Sequence, residues 1–165
     1  MTGAVDALEY RRVVGRFATG VTVVTTVLDG EHHALTANSF TSVSLDPFLV
    51  LFCPEKLARF HDVVLAAGTF AVSVLAQGQE QVSRRFAARG RPLDQQFAGV
   101  RHTVGARTGA VLIDGALSTL ECRTVSTVAA GDHTVVIGEV LALGVPAPTG
   151  APLLYYEGRY GAFHP

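Results

Sequence analysis

The sequence predicts a mainly β protein with added helices, arranged as a closed or nearly closed antiparallel barrel. Three observations carry this prediction. Runs dense in β-branched and large apolar residues recur at 21–28, 48–53, 70–75, 116–128 and 133–143. Turn signals join several of them as hairpins, Asp29-Gly30 being the sharpest. Helical periodicity is confined to two or three segments that do not alternate evenly with the strands, which argues against a doubly wound parallel sheet.

The first element reads as a helix, because Asp6 and Glu9 stand at capping-box spacing and Leu8, Val13 and Phe17 can share one face. Gly20 then opens the branched run 21–28, and residues 32–38 return antiparallel after Asp29-Gly30. Thr36 to Pro47 follows, with five hydroxyl residues and one amide in twelve positions. Asp46-Pro47 forces an extended or turn conformation, and 48–53 is apolar throughout, as in a strand buried on both faces. Leu57, Phe60, Val64 and Leu65 recur at helical spacing, with Gly68 placed to end that helix. After the strand at 70–75, residues 79–88 form a helix with Val82 and Phe86 inward and Ser83, Arg84 and Arg85 partly outward. Residues 90–109, rich in Gly, Arg and polar types, wrap the surface. Two long strands, 116–128 and 133–143, are joined by the turn 129–132, and a last short strand falls around 153–163. No repeat, linker or low-complexity tract interrupts the pattern, so 1–165 is read as one domain.

Composition narrows the function. Hydrophobic residues make up 48% and charged residues 16%, a surface lean enough in charge to suggest burial against a partner subunit. A net charge of −1 lacks the basic face of a nucleic-acid binder. No apolar run reaches membrane-spanning length and the N-terminus lacks a signal-peptide layout, which points to the cytoplasm. Cys53 and Cys122 lie far apart in apolar segments and read as buried free thiols of a cytosolic protein.

The absent motifs are equally useful. The chain has no phosphate-cradling G-x-x-x-x-G-K-[ST], no strand-linked G-x-G-x-x-G and no G-x-S-x-G nucleophile elbow. Its six histidines show no helical metal-ligand spacing. Three clusters and one arginine pair remain. Thr36–Pro47 offers short polar side chains and accessible N–H groups, suited to a flat, polar, anionic ligand, but the same pattern describes the solvent face of a strand. Asp132 and His133 sit at the mouth of an apolar strand, facing a pocket or merely solvated. Tyr155, Tyr156 and Tyr160 are packing or a stacking surface for a planar ligand. Arg84 and Arg85 are a phosphate clamp or ordinary surface arginines.

Taken in order, these blocks resemble the flavin reductase family of small split-barrel proteins. The resemblance rests on Arg16 to Thr25, Leu35 to Pro47, Phe70 to Leu75 with its following Gln, Gly131-Asp132-His133, and the closing Tyr-Tyr-x-Gly-x-Tyr, and it spans about residues 10–163. It implies a split β-barrel with the flavin reductase-like FMN-binding fold, and typically a homodimer that uses NADH or NADPH to reduce FMN or FAD. Many such proteins hand free reduced flavin to a partner monooxygenase. The resemblance places Thr36, Ala37, Asn38 and Ser39 along the isoalloxazine ring, and Ser42, Val43 and Ser44 beside it. It sets the stretch from Cys53 to Lys56 near the ribityl and phosphate groups, and Arg84, Arg85 and Phe86 near a phosphate or the nicotinamide nucleotide. Asp132 and His133 fall where the nicotinamide docks, His133 positioning it, and Tyr160 belongs to the closing block. Hydrogen-bond donors fixed along the ring suit this chemistry, since reduction puts negative charge on the N1–C2=O side.

Two departures from the family pattern stand out. Ala34 replaces a glycine before the Thr-Ala-Asn block, and Phe48 replaces a second proline after Asp-Pro. Ala34 bears on how the loop enters the site, and Phe48, bulky at the start of the following strand, on the shape of the pocket or the dimer contact. Two other functions fit the same residues: a flavoenzyme with permanently bound FMN acting on a separate small molecule, and a flavin- or haem-binding split-barrel module without turnover.

Overall fold

The computed structural model describes residues 5–147 and 149–163. In chain order the elements are α1 (Ala7–Val14), β1 (Thr19–Gly20), β2 (Thr22–Leu28), β3 (Glu31–Ala37), β4 (Thr41–Leu45), β5 (Phe48–Phe52), α2 (Arg59–Ala67) and β6 (Thr69–Val74). A 3-10 turn at Gln77–Gln79 leads into α3 (Glu80–Ala87), followed by β7 (His102–Val104), β8 (Val111–Ile113), β9 (Ser118–Ala130), β10 (His133–Gly144), β11 (Leu153–Tyr156) and β12 (Arg159–Ala162). Seven strands form one antiparallel sheet in the order β3-β2-β6-β9-β10-β5-β4, with small sheets β1-β11-β12 and β7-β8 beside it. The two edge strands, β3 and β4, are consecutive in sequence yet not hydrogen-bonded to each other. The barrel is therefore split along that seam, and Asn38–Phe40 bridges it.

Two apolar cores explain the order. Val24, Phe52, Phe60, Val64, Phe70 and Val136 fill the barrel under α2, while Val21, Val23, Leu75, Phe86, Ile113 and Leu153 fill the space under α3. Strand β2 separates them, and its first five residues are all buried. Its threonines tolerate this because each hydroxyl donates to a carbonyl: Thr22 to Ala37, Thr25 to Val111 and Thr26 to Thr69, at 2.8, 2.5 and 2.7 Å.

Local chemistry is as predicted in three places. Asp6 Oδ2 accepts from Glu9 N at 3.3 Å. Asp29 and Gly30 turn the β2–β3 hairpin at φ 51° and 81°. Gly68 ends α2 at φ 67°.

Elsewhere the structure corrects the sequence reading. Strand β5 is not buried on both faces: Val50 and Phe52 point inward, whereas Phe48 is 61% exposed, so two-sided burial belongs to β2. Leu57 precedes α2 and is exposed, as are Leu8, Val13 and Phe17 around α1. Ser83 is fully buried, because Tyr160 and Thr36 close over it. The final strand is a hairpin, β11–β12, turning at Glu157-Gly158, and residues 102–104 and 111–113 pair inside the stretch read as surface wrap. Ala129 and Ala130 extend β9, leaving Gly131-Asp132 as the turn. The Ala34 departure is accommodated without strain, since Ala34 lies in β3 with ordinary negative φ. No helix among the described residues is long and apolar enough to cross a membrane.

Candidate active site

A cleft of about 560 Å³ opens at the seam. One wall is β3 from His33 onward, with Asn38 and Ser39; the opposite wall runs from Cys53 to Phe60; Phe86 to Arg91 and Gln96 close one end, and His133 stands at another part of the rim. Ser39 ties the first two walls together. Its hydroxyl accepts from Cys53 N at 3.0 Å and donates to Cys53 O at 3.5 Å. Burial raises the Cys53 thiol pKa, against the opposing hydrogen bond from Ser39, so this sulfur sits in the wall as a thiol. Thr36 anchors the third wall: its hydroxyl donates to Ser83 O at 2.7 Å, and Ser83 Oγ pairs with Tyr160 Oη at 2.9 Å.

One end of the cleft is cationic, with Arg59, Arg89 and Arg91 among its lining residues and Glu55 as the acidic one. Arg91 donates to the carbonyls of Phe86 (3.0 Å), Ala88 and Ala34 (2.8 Å), and its guanidinium lies 5.5 Å from the centre of the Phe86 ring. Burial lowers the Arg91 pKa, helped by the charges of Arg59 and Arg85. Arg59 donates to Arg91 O at 3.0 Å, and Arg89 pairs with Glu55 at 2.6 Å. Two buried polar atoms here, Arg91 Nε and Gln96 Oε1, have no partner among the described residues. Buried polar atoms without a partner cost free energy, and both of these belong to side chains that line the cleft. The excess of positive charge fits an anionic group such as a phosphate.

The His133 part of the rim is braced from below. Lys56 N donates to Asp132 O at 2.9 Å and Lys56 Nζ to Gly131 O at 2.7 Å, while Glu55 and His133 form an isolated antiparallel bridge. Thr134 N donates to Pro54 O at 3.1 Å, and Thr134 Oγ1 pairs with His61 Nε2 at 2.8 Å. The loop 54–56 and the turn 131–133 thus behave as one unit. His133 Nδ1 meets Asp132 Oδ1 at 2.7 Å, which leaves Nε2 without a partner among the described residues. That hydrogen bond, then the imidazole's charge, holds the Asp132 carboxyl below its usual pKa.

Of the residues singled out by sequence, Thr36, Ala37, Asn38, Ser39, Cys53, Phe86 and His133 come together in the lining. Lys56 and Asp132 stand behind His133. Arg84 pairs with Glu80 at 2.7 Å and lies 4.9 Å over the Tyr160 ring, and Arg85 donates to Gln95 O and Gln96 O. These two arginines and Tyr160 support the wall from outside the lining, and Ser42, Val43 and Ser44 lie on β4, also outside it. Glu55 lies in the 53–56 stretch that the sequence reading set near the ribityl and phosphate groups; Arg59, Arg89, Arg91 and Gln96 were missed. The available clue was the recurrence of arginine at 84, 85, 89 and 91, which continues past the end of α3.

Comparison with known proteins gives the family of this fold. The family described as flavin reductase like domain matches residues 14–164. An NADH-dependent FAD reductase of Streptomyces globisporus is 48% identical over 162 residues, covering 97% of this chain and 87% of that protein. The reductase subunit HsaB of a Mycobacterium tuberculosis flavin-dependent monooxygenase is 40% identical over 166 aligned positions, covering 100% and 87%. Among solved structures, the Streptomyces globisporus C-1027 NADH:FAD oxidoreductase in complex with NAD and FAD fragments superposes with a TM-score of 0.91 at 45% identity, covering 97% of this chain and 94% of that one. With the split barrel, the seam cleft and a match over nearly its whole length, the chain belongs to the flavin reductase-like domain family.

Proposed function

We propose that this protein is an NADH-dependent flavin reductase, taking FMN or FAD into the seam cleft and delivering reduced flavin to a partner monooxygenase. The observation that carries the reading is the cleft itself. Its polar wall, Thr36 to Ser39, faces a cationic end lined by Arg59, Arg89 and Arg91, where Arg91 Nε has no partner among the described residues. A flavin brings a flat ring with a polar edge and a phosphate at the far end of its ribityl chain, matching both features. When bound, reduced nicotinamide supplies a hydride from C4 and flavin accepts it at N5, so the protein needs no general base. Its own residues orient and exclude water: Asn38 and Ser39 line the ring's polar edge, Arg59 and Arg89 take the phosphate, and His133 positions the nicotinamide through its unpartnered Nε2. The named activity of the Streptomyces globisporus relative supports NADH over NADPH, and the naming of HsaB as a reductase subunit supports the monooxygenase partner.

A homodimer accompanies this reading. Leu8, Phe17, Leu45, Phe48 and Leu57 are each more than half exposed, more large apolar surface than a monomer comfortably carries. The free thiols Cys53 and Cys122 suit the cytoplasm. The test follows NADH and NADPH oxidation with and without added FMN, FAD or riboflavin. Saturable dependence on added flavin is the expected result; turnover without added flavin would instead make the protein a flavoenzyme with resident FMN. His133→Ala is expected to raise KM for NADH several-fold while leaving flavin Kd within about twofold.

A further inference from the structure

Glu55 is the acidic residue in the cleft lining, and its carboxylate crosses from the loop after β5 to Arg89, just past the end of α3, at 2.6 Å. Arg89 has no other carboxylate partner among the described residues. Arg91 cannot substitute for Arg89 as a mobile phosphate ligand, because its guanidinium is committed to the carbonyls of Phe86, Ala88 and Ala34. Arg59 and Arg89 are therefore the exposed cations available to an incoming phosphate, and one of them is already paired. Glu55 holds Arg89 Nη2, so a phosphate taking this guanidinium displaces the carboxylate from it or shares the cation with it. Either way the carboxylate cannot withdraw far, since the Glu55 backbone is bridged to His133 and Lys56 is tied to Gly131 and Asp132. It stays at the rim as a like charge beside the phosphate.

We propose that Glu55 is a built-in competitor for the flavin phosphate, its carboxylate contesting the Arg89 guanidinium so that flavin affinity is held down and the flavin leaves readily. This rests on the flavin-reductase reading above and deepens it: the same cleft binds flavin as an exchangeable substrate because one of its phosphate ligands has an internal partner. The pair is solvent-exposed at Arg89 and one-third exposed at Glu55, so the contest is modest in size.

The test is titration of FMN and riboflavin, which share the ring and differ in the phosphate, by quenching of flavin fluorescence. The proteins are wild type, Glu55→Gln and Arg89→Gln. Glu55→Gln is expected to tighten FMN about three- to tenfold and leave riboflavin within about twofold, with the FMN gain shrinking at high salt. Arg89→Gln is expected to weaken FMN alone. Unchanged or weaker FMN binding in Glu55→Gln, or an equal shift for riboflavin, would overturn the proposal while leaving the flavin site standing. A shift in apparent NADH affinity without one for FMN would also overturn it, assigning the contested phosphate to the nucleotide. A wild-type protein that quenches neither flavin would overturn the flavin-site reading, and this proposal with it.

Discussion

Thr36→Val separates what the polar wall does for the fold from what it does for the ligand. Valine keeps the branched shape of threonine and removes only the hydroxyl. That hydroxyl donates to Ser83 O at 2.7 Å, so its single proton is already used inside the protein. Ser83 lies within α3, where its carbonyl also serves the N–H four residues on, and loss of the Thr36 bond leaves it one partner rather than none. The cost should sit near an ordinary hydrogen bond, about 0.5–1.5 kcal/mol. With a urea m-value of roughly 2 kcal/mol per M, the midpoint should fall by about 0.3–0.7 M. Flavin affinity should change by less than about threefold, because Thr36 contributes wall and backbone, whereas a hydroxyl donated to the flavin would cost roughly tenfold on removal. Equilibrium urea unfolding and FMN fluorescence titration on the same preparation decide the matter. A tenfold loss of FMN affinity with an unmoved urea midpoint would refute the reasoning.

Gly138→Ala should destabilise the barrel by about 1–3 kcal/mol, since a Cβ there would collide with Phe70 Cζ, lie 2.6 Å from Phe70 Cε1 and 3.1 Å from Cys122 Cβ. Phe70 is fully buried with its ring 5.0 Å from that of Phe52, so it has nowhere to go; adding Phe70→Leu should recover part of the loss, and a wild-type urea midpoint for Gly138→Ala would contradict this packing. His33 gives a pH dependence. Burial first, then Arg59, with Glu31 opposing and His32 assisting, lowers its pKa from 6.5 in the folded state. Folding therefore favours neutral His33: its stabilisation is complete above pH 6.5 and is lost as pH falls through the lowered folded value. His33→Gln should flatten stability against pH in that window, and an NMR titration placing His33 at or above 6.5 would sink the idea.

How much of this was legible in the sequence depends on the range of the cause. The Asp6 cap, the Asp29-Gly30 turn and the Gly68 stop are set by residues within one turn of each other, and the structure has all three. Burial of Ser83 is set by Thr36 and Tyr160, 47 and 77 residues away, and no periodicity within α3 reports them. Phe48 looks like core by type, yet it lies at the start of β5, next to the sheet's edge strand, where nothing within the described chain covers it. The cationic end fails for a similar reason. Arg89 and Arg91 follow a helix in a glycine- and arginine-rich stretch that reads as surface wrap, and only the fold of α3 against β3 brings them to the seam.

Most polar groups around the cleft are already answered by protein partners: Thr36 by Ser83, Ser39 by Cys53, Lys56 by the 131–132 turn, Arg85 by Gln95 and Gln96. Such groups fix the shape of the site and have little left to give a ligand. Among the described residues, what remains includes the Asn38 amide, His133 Nε2, Arg91 Nε, the rest of the Arg59 guanidinium and the contested Arg89. A cleft whose rigidity comes from answered bonds, and whose grip comes from a few unanswered ones, is suited to orienting a flat ring without retaining it. Tightening such a site does not require new contacts along the ring. It requires freeing a partner already there, which is why the carboxylate of Glu55, rather than the Thr36–Ser39 wall, is the place where affinity should be most easily raised.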